Sequence, residues 1–122
     1  MRILQIEPSH VPVLMEIDRS LETMQEVVGG LIQALFPFDD PVALIANEEG
    51  KLLGLPVNRA LWDEAGKPYD ILCGTFFLCG APADCNHFTS LTDEQIKKYR
   101  ALFQHPEVFL NVGGQIIALP CD

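Results

Sequence analysis

Apolar positions change their spacing several times along this chain, and each change falls at a turn residue. Alternation over Arg2 to Glu7 and over Val11 to Ile17 predicts two short strands, with Pro8-Ser9-His10 between them. In the second, Val11, Val13, Met15 and Ile17 share one face while Glu16 and Asp18 share the other, which suits a half-buried antiparallel pair. Leu21, Met24, Val27 and Val28 then follow helical spacing, predicting a helix over Leu21 to Val28. Asp18 or Ser20 can cap it by offering an oxygen to the free amides of the first turn, where Glu22 meets the positive end of the dipole. Gly29-Gly30 supplies the left-handed residue that stops it.

Two apolar runs, Leu31 to Phe36 and Val42 to Ala46, read as strands separated by Asp39-Asp40-Pro41. Asn47 to Gly50 is a turn, after which Lys51 to Leu53 reads as a brief returning strand. Leu55 to Leu61 is ambiguous, with Pro56 placed to open a single helical turn at Asn58 to Trp62. Asp63 to Pro68 is a loop marked by Gly66. Ile71 to Leu78 reads as one central strand, apolar on both faces, in which Gly74 signals a bulge or a close backbone approach. Ala81 to Thr89 has no period. Thr92-Asp93-Glu94-Gln95 is a capping box that opens a helix to Gln104, with Ile96, Tyr99, Leu102 and Phe103 inward and Lys97, Lys98 and Arg100 solvated. His105-Pro106 ends it, and Val108 to Val112 with Gln115 to Leu119 form a hairpin about Gly113-Gly114. The expected fold is α+β: a mostly antiparallel sheet of about six or seven short strands with two helices packed on it, in a single domain over residues 1–122.

Composition narrows the function classes. With 48% apolar residues in 122, the chain can bury a core without metal or disulfide staples. The net charge is −9, and the excess sits early: Glu7, Glu16, Asp18, Glu22, Glu26, Asp39, Asp40, Glu48 and Glu49 face only Arg2 and Arg19 in the first 50 residues. Such a surface repels phosphates, which argues against direct nucleic-acid binding outside the Lys97, Lys98, Arg100 cluster. Solubility accounts for most acidity of this kind; the sharper reading is an acidic face that meets a basic protein partner. Ile3-Leu4 is too short a run for a signal peptide, and no window reaches the length of a membrane span. A cytoplasmic protein is expected, with Cys73, Cys79, Cys85 and Cys121 as reduced thiols.

Candidate chemistry is sparse. Cys85, His87 and Cys121 could share a metal with one more ligand, but no Cys-x-x-Cys pair accompanies them, so neither a metal nor a cofactor is expected. Cys85 could pair with His87 or His105 as a nucleophile, although no helix start follows the cysteine to activate it. Asp39-Asp40, Glu48-Glu49, Asp63-Glu64 and Asp93-Glu94 fall at turns or a helix start, where solvation and capping explain them. Neither Gly-Gly pair has the strand–glycine–helix order of a phosphate loop. Asn58-Arg59 is the most specific signal: a guanidinium holds a carboxylate or phosphate with two parallel bonds, and an amide both donates and accepts. A ligand patch of Asn58, Arg59, Asp70 and Thr75 is the functional reading, and a structural tie from Arg59 to Asp70 is the plainer one.

The order of Glu7-Pro8, Glu16-Ile17-Asp18, Leu21 to Gln25, Val28-Gly29-Gly30, Asn47 to Leu53, Asn58-Arg59-Ala60-Leu61, and Asp70 with Gly74-Thr75-Phe76 resembles the domain of unknown function 3846 family of phages, plasmids and conjugative elements. The likeness covers residues 1–80, and Ser90 to Ile96 is similar to a tail common in that family; residues 81–122 then read as a helix plus a terminal hairpin extension. The resemblance implies a setting, an accessory protein of a bacterial mobile element, and no catalytic residue. The charge asymmetry and the absence of a catalytic motif make a non-enzymatic protein-interaction module with an acidic face the expected function. The alternatives are a binding protein for a small anionic ligand near Asn58 and Arg59, and last a hydrolase or nuclease. The partner is left open: a basic protein, or a second copy covering a bare sheet edge.

Overall fold

A computed structural model describes residues 1–120. The chain runs β1 (Arg2–Ile6), β2 (Val13–Glu16), α1 (Leu21–Val28), β3 (Ile32–Leu35), β4 (Val42–Asn47), β5 (Val57–Trp62), β6 (Pro68–Cys73), β7 (Phe76–Gly80), α2 (Asp93–Leu102), β8 (Glu107–Val112) and β9 (Gln115–Pro120). The architecture is α+β and every strand pairing is antiparallel. The strands form three sheets, not one: a five-stranded sheet in the order β2-β1-β7-β4-β3 and two ribbons, β5-β6 and β8-β9.

The division has a local cause. The run Ile71 to Leu78 is two strands of different sheets, broken at Gly74. Gly74 has φ +84°, and the Leu55 side chain lies 2.7 Å from where a Cβ would stand. Only glycine combines that backbone with that neighbour. The glycine anticipated as a bulge therefore turns the chain from one sheet into another. Two further expectations fail nearby. Lys51 to Leu53 is a turn, closed by the Leu53 amide on the Glu49 carbonyl at 2.8 Å. Residues 58–62 form strand β5 rather than a helical turn, because they pair with β6.

The second strand is shorter than its alternation predicts, Val13–Glu16, and of its apolar face Val11 and Val13 are exposed while Met15 and Ile17 pack on the core. The helix caps fall where their patterns place them. Ser20 is the α1 cap and accepts from the Thr23 amide, while Asp18 accepts from the Ser20 amide; Gly29, at φ +78°, ends the helix. Thr92 and Gln95 close the capping box of α2. In that helix Ile96, Tyr99 and the following Phe103 are buried, but Leu102 is exposed.

The five-stranded sheet carries a core on each face, as alternation along a strand requires. Ile3, Ala43, Ile45, Phe77 and Cys79 meet Met24 and Val28 of α1 on one face. Leu4, Ile6, Leu44, Phe76 and Leu78 meet Leu61 and Leu72 of the first ribbon and Ile96 and Tyr99 of α2 on the other. The helices thus cover opposite faces, and their charges differ. α1 carries Glu22 and Glu26 with no base, whereas α2 carries Lys97, Lys98 and Arg100. Lys98 and the Tyr99 hydroxyl both donate to Asp40, at 2.6 and 2.7 Å, tying α2 to the start of β4.

Candidate functional site

Strand β5 slips its register between Val57 and Arg59, so Asn58 has no rung in the ladder with β6. The bulge turns two consecutive polar side chains into the protein, and both are buried, Arg59 at 1% exposure. Asn58 Nδ2 donates to the Ile6 carbonyl at 2.9 Å and to the Gly74 carbonyl at 2.8 Å. It thereby pins the end of β1 to the glycine where the chain changes sheets.

Arg59 continues the tie. Nη1 donates to Asn58 Oδ1 at 2.8 Å, and Nη2 donates to the carbonyls of His10 at 2.6 Å and Phe103 at 3.0 Å. The last bond explains how α2 ends without a left-handed residue. Its C-cap is Phe103 at φ −104°, and the guanidinium takes the carbonyl there and sits at the negative end of the helix dipole. Burial pulls the Arg59 pKa below its ordinary value, while the Glu107 carboxylate works in the other direction. A guanidinium stays charged through such a shift.

Glu107 is the residue that the sequence did not flag. Its carboxylate accepts from the Ala60 amide at 2.6 Å and from Trp62 Nε1 at 3.0 Å, so the first residue of β8 is fastened to β5. The available signal was weak: a lone acid at the head of an apolar hairpin. Arg59, Trp62, Tyr69, His105 and Glu107 border a cavity of about 150 Å³, and Arg59 Nε has no hydrogen-bond partner among the described residues.

Asp70 and Thr75 do not join this group. Asp70 pairs with Lys51 at 2.7 Å and accepts from its own strand's Ile71 amide, so the anticipated tie to Arg59 is not formed. A charge on β6 reaches the exposed turn before β5, while the guanidinium points into the core toward α2. Thr75 is half-buried in the turn between β6 and β7. Asn58 and Arg59 thus meet backbone carbonyls, and their geometry is that of a structural tie.

The second ribbon differs. Gly113 and Gly114, at φ +60° and +86°, make its two-residue turn. The cross-strand register sets two faces. Glu107, Phe109, Ile116 and Ala118 fall on one, where Glu107 is tied to β5 and Ala118 is buried. Val108, Leu110, Val112, Ile117 and Leu119 fall on the other, each between 39% and 55% exposed. Val108 stands opposite Leu119, and Leu110 opposite Ile117, so this is a continuous apolar stripe across both strands.

The cysteines also separate. Burial pushes the Cys79 thiol up to about 12 and raises that of Cys73. Cys85 and His87 come together, whereas His105 borders the Arg59 cavity instead. Cys121 lies outside the described residues. Among those residues no three of His, Cys, Asp and Glu gather to hold a metal, and no helix is long and apolar enough to cross a membrane.

Residues 1–104 match the family described as a domain of unknown function, DUF3846. The chain belongs to that family. No curated protein and no solved structure matches it. The DUF3846 match runs past residue 80 to the end of α2, including Arg59 and Phe103 and leaving the β8-β9 ribbon outside.

Proposed function

We propose that this protein is a non-enzymatic interaction module that binds a protein partner through the bare face of the β8-β9 ribbon. The observation that carries this reading is the exposed stripe of Val108, Leu110, Val112, Ile117 and Leu119. A two-stranded ribbon gains little stability alone, and a contiguous exposed apolar patch marks an association surface. The net charge of −9 makes two copies repel, which favours a heterologous partner with basic residues around an apolar contact. The acidic α1 side then serves to steer that partner rather than to hold it. The family resemblance supplies the setting we infer, an accessory protein acting in the bacterial cytoplasm on behalf of a mobile element.

The test compares the full chain with the double variant Leu110→Glu, Ile117→Glu. Both are passed as baits through lysate of a cell carrying the element, and their masses are measured by light scattering. A stoichiometric partner retained by the natural chain and lost by the folded variant supports the reading. Equal retention by both overturns it, and a concentration-dependent doubling of mass lost in the variant would replace the heterologous partner with a second copy.

A second reading, binding of a small anion, rests on the unpartnered Arg59 Nε beside the 150 Å³ cavity. Glu107 on the same wall opposes it. Titration with acetate and benzoate, followed by Trp62 fluorescence, decides: saturation by either supports this reading, and no response removes it.

A further inference from the structure

Residues 81–89 leave the sheet at the end of β7 and come back to it. Gly80 and Thr89 exchange both backbone hydrogen bonds, at 2.7 and 2.9 Å. A Cβ on Gly80 would stand 2.8 Å from the Ser90 carbonyl, so the neck of the loop is drawn tight. The Ala81 amide is held by the Pro41 carbonyl at 2.8 Å, and Phe88 packs against the α1-side core. A loop closed at its neck and packed by its own side chains holds local geometry better than an open one.

Within this loop Cys85 Sγ lies 3.3 Å from His87 Nε2, and His87 Nδ1 lies 3.1 Å from the Phe88 carbonyl oxygen. A carbonyl can only accept. Nδ1 of the neutral ring therefore carries the proton, and Nε2 turns its lone pair to the thiol. Nucleophile, base and a third group that orients the base thus stand in the order that activates a thiol. The pair borders a cleft of about 470 Å³, within the size range of small-molecule sites. Met24, Phe36 and Phe88 give it apolar walls. Arg19 stands on the same cleft with no ion-pair partner among the described residues.

We propose that Cys85 is a nucleophilic thiol, with His87 as its base, for small electrophiles that carry an anionic group facing Arg19. In the reaction the Cys85 sulfur forms a bond to the electrophilic carbon, and the leaving group departs with the bonding pair. The thiol proton passes to His87 Nε2. The site lies on the α1 side of the sheet and does not depend on the ribbon.

Iodoacetate and iodoacetamide test this directly on the full chain, with iodide as the leaving group. Alkylation of each cysteine, carboxymethyl from iodoacetate and carboxamidomethyl from iodoacetamide, is followed by mass spectrometry, with N-acetylcysteine as the reference thiol. Cys85 is expected to react about tenfold faster than N-acetylcysteine near neutral pH, and His87→Ala to bring it down to the reference rate. Arg19→Gln is expected to slow iodoacetate and leave iodoacetamide unchanged. A Cys85 rate no greater than that of N-acetylcysteine in the natural chain overturns the proposal without any variant. An unchanged rate in His87→Ala removes the base, and equal slowing of both reagents by Arg19→Gln removes the anionic preference.

Discussion

Two regions of this molecule invert the usual distribution of polarity. Around Asn58 and Arg59 an amide and a charged guanidinium are buried; along one face of β8 and β9 five large apolar side chains are exposed. The buried polar pair meets carbonyls from β1, the β6–β7 turn, the segment before β2 and the end of α2. Those four carbonyls come from segments far apart in the chain and all accept from this pair, so the pair belongs to the folded state itself. The exposed stripe pairs across its own two strands, stays between 39% and 55% open, and contributes little to folding. A residue out of place by polarity is therefore structural where its partners lie within the chain, and points outward where they do not.

Arg59→Ala breaks the comparison hardest. It opens a cavity and strips partners from the carbonyls of His10 and Phe103 together, and is expected to cost about 3–5 kcal/mol in urea unfolding. Arg59→Lys should recover only part of that loss, because an ammonium cannot span the same fork of acceptors. A midpoint within error of the natural protein in Arg59→Ala would return Arg59 to the class of ligand residues.

Asn58→Asp is the sharper variant at the second position. It keeps shape and the acceptor for Arg59, but sets a carboxylate oxygen against the carbonyls of Ile6 and Gly74. A loss of about 2–3 kcal/mol is expected, read from the same unfolding curves. A neutral or stabilising result would mean that pairing with Arg59 outweighs the two lost donors.

Much of this contrast was legible in the sequence, and the missing part has a physical reason. The two runs Val108 to Val112 and Gln115 to Leu119, with the Gly-Gly between them, gave the ribbon directly. Caps at Ser20, Gly29 and Thr92 were equally local. The bulge at Asn58 was not, because it is imposed by contacts with Ile6 and Gly74, 52 and 16 residues away. For the same reason β5 resembled a helical turn after Pro56. The run from Ile71 to Leu78 looked like one strand because hydropathy does not record φ, and the positive φ of Gly74 is what divides it. Cys85 and His87 were both noticed, but the carbonyl that orients the ring became visible only with the loop closed.

Tyr99 tests the α2 side of the buried region by pH. Burial, and then its hydrogen bond to Asp40, raise the phenol well above its ordinary value of 10.0. The folded state thus holds a proton that the unfolded chain releases, so this contribution is complete below about pH 10 and fades as pH rises toward the folded pKa. Cys79, raised to about 12, acts with the same sign. Tyr99→Phe is therefore expected to show a shallower alkaline decline in melting temperature than the natural protein. Parallel declines would mean that Tyr99 is not the titrating group.

Glu107 joins the two regions and should show an intermediate effect. Glu107→Ala leaves the Ala60 amide and Trp62 Nε1 without their acceptor and is expected to cost about 1–3 kcal/mol. Its distinctive readout is local: hydrogen exchange should accelerate in β8 and β9 more than in the five-stranded sheet. Uniform acceleration would show that the ribbon unfolds only with the whole.

The smallest effect on stability is expected where the effect on association is largest. Leu110 and Ile117 face each other across the ribbon, away from the residues that meet β5. Replacing both by Glu removes apolar surface that is already in water, so the folded state loses little; two like charges directly opposite add a modest repulsion. The net change should stay within about 0.5 kcal/mol for each position. The same pair of charges would be desolvated against an apolar partner, and binding would fall by orders of magnitude. A large loss of stability would instead mean that the stripe packs on this chain in solution, and the ribbon would then join Arg59 among the elements that hold the fold.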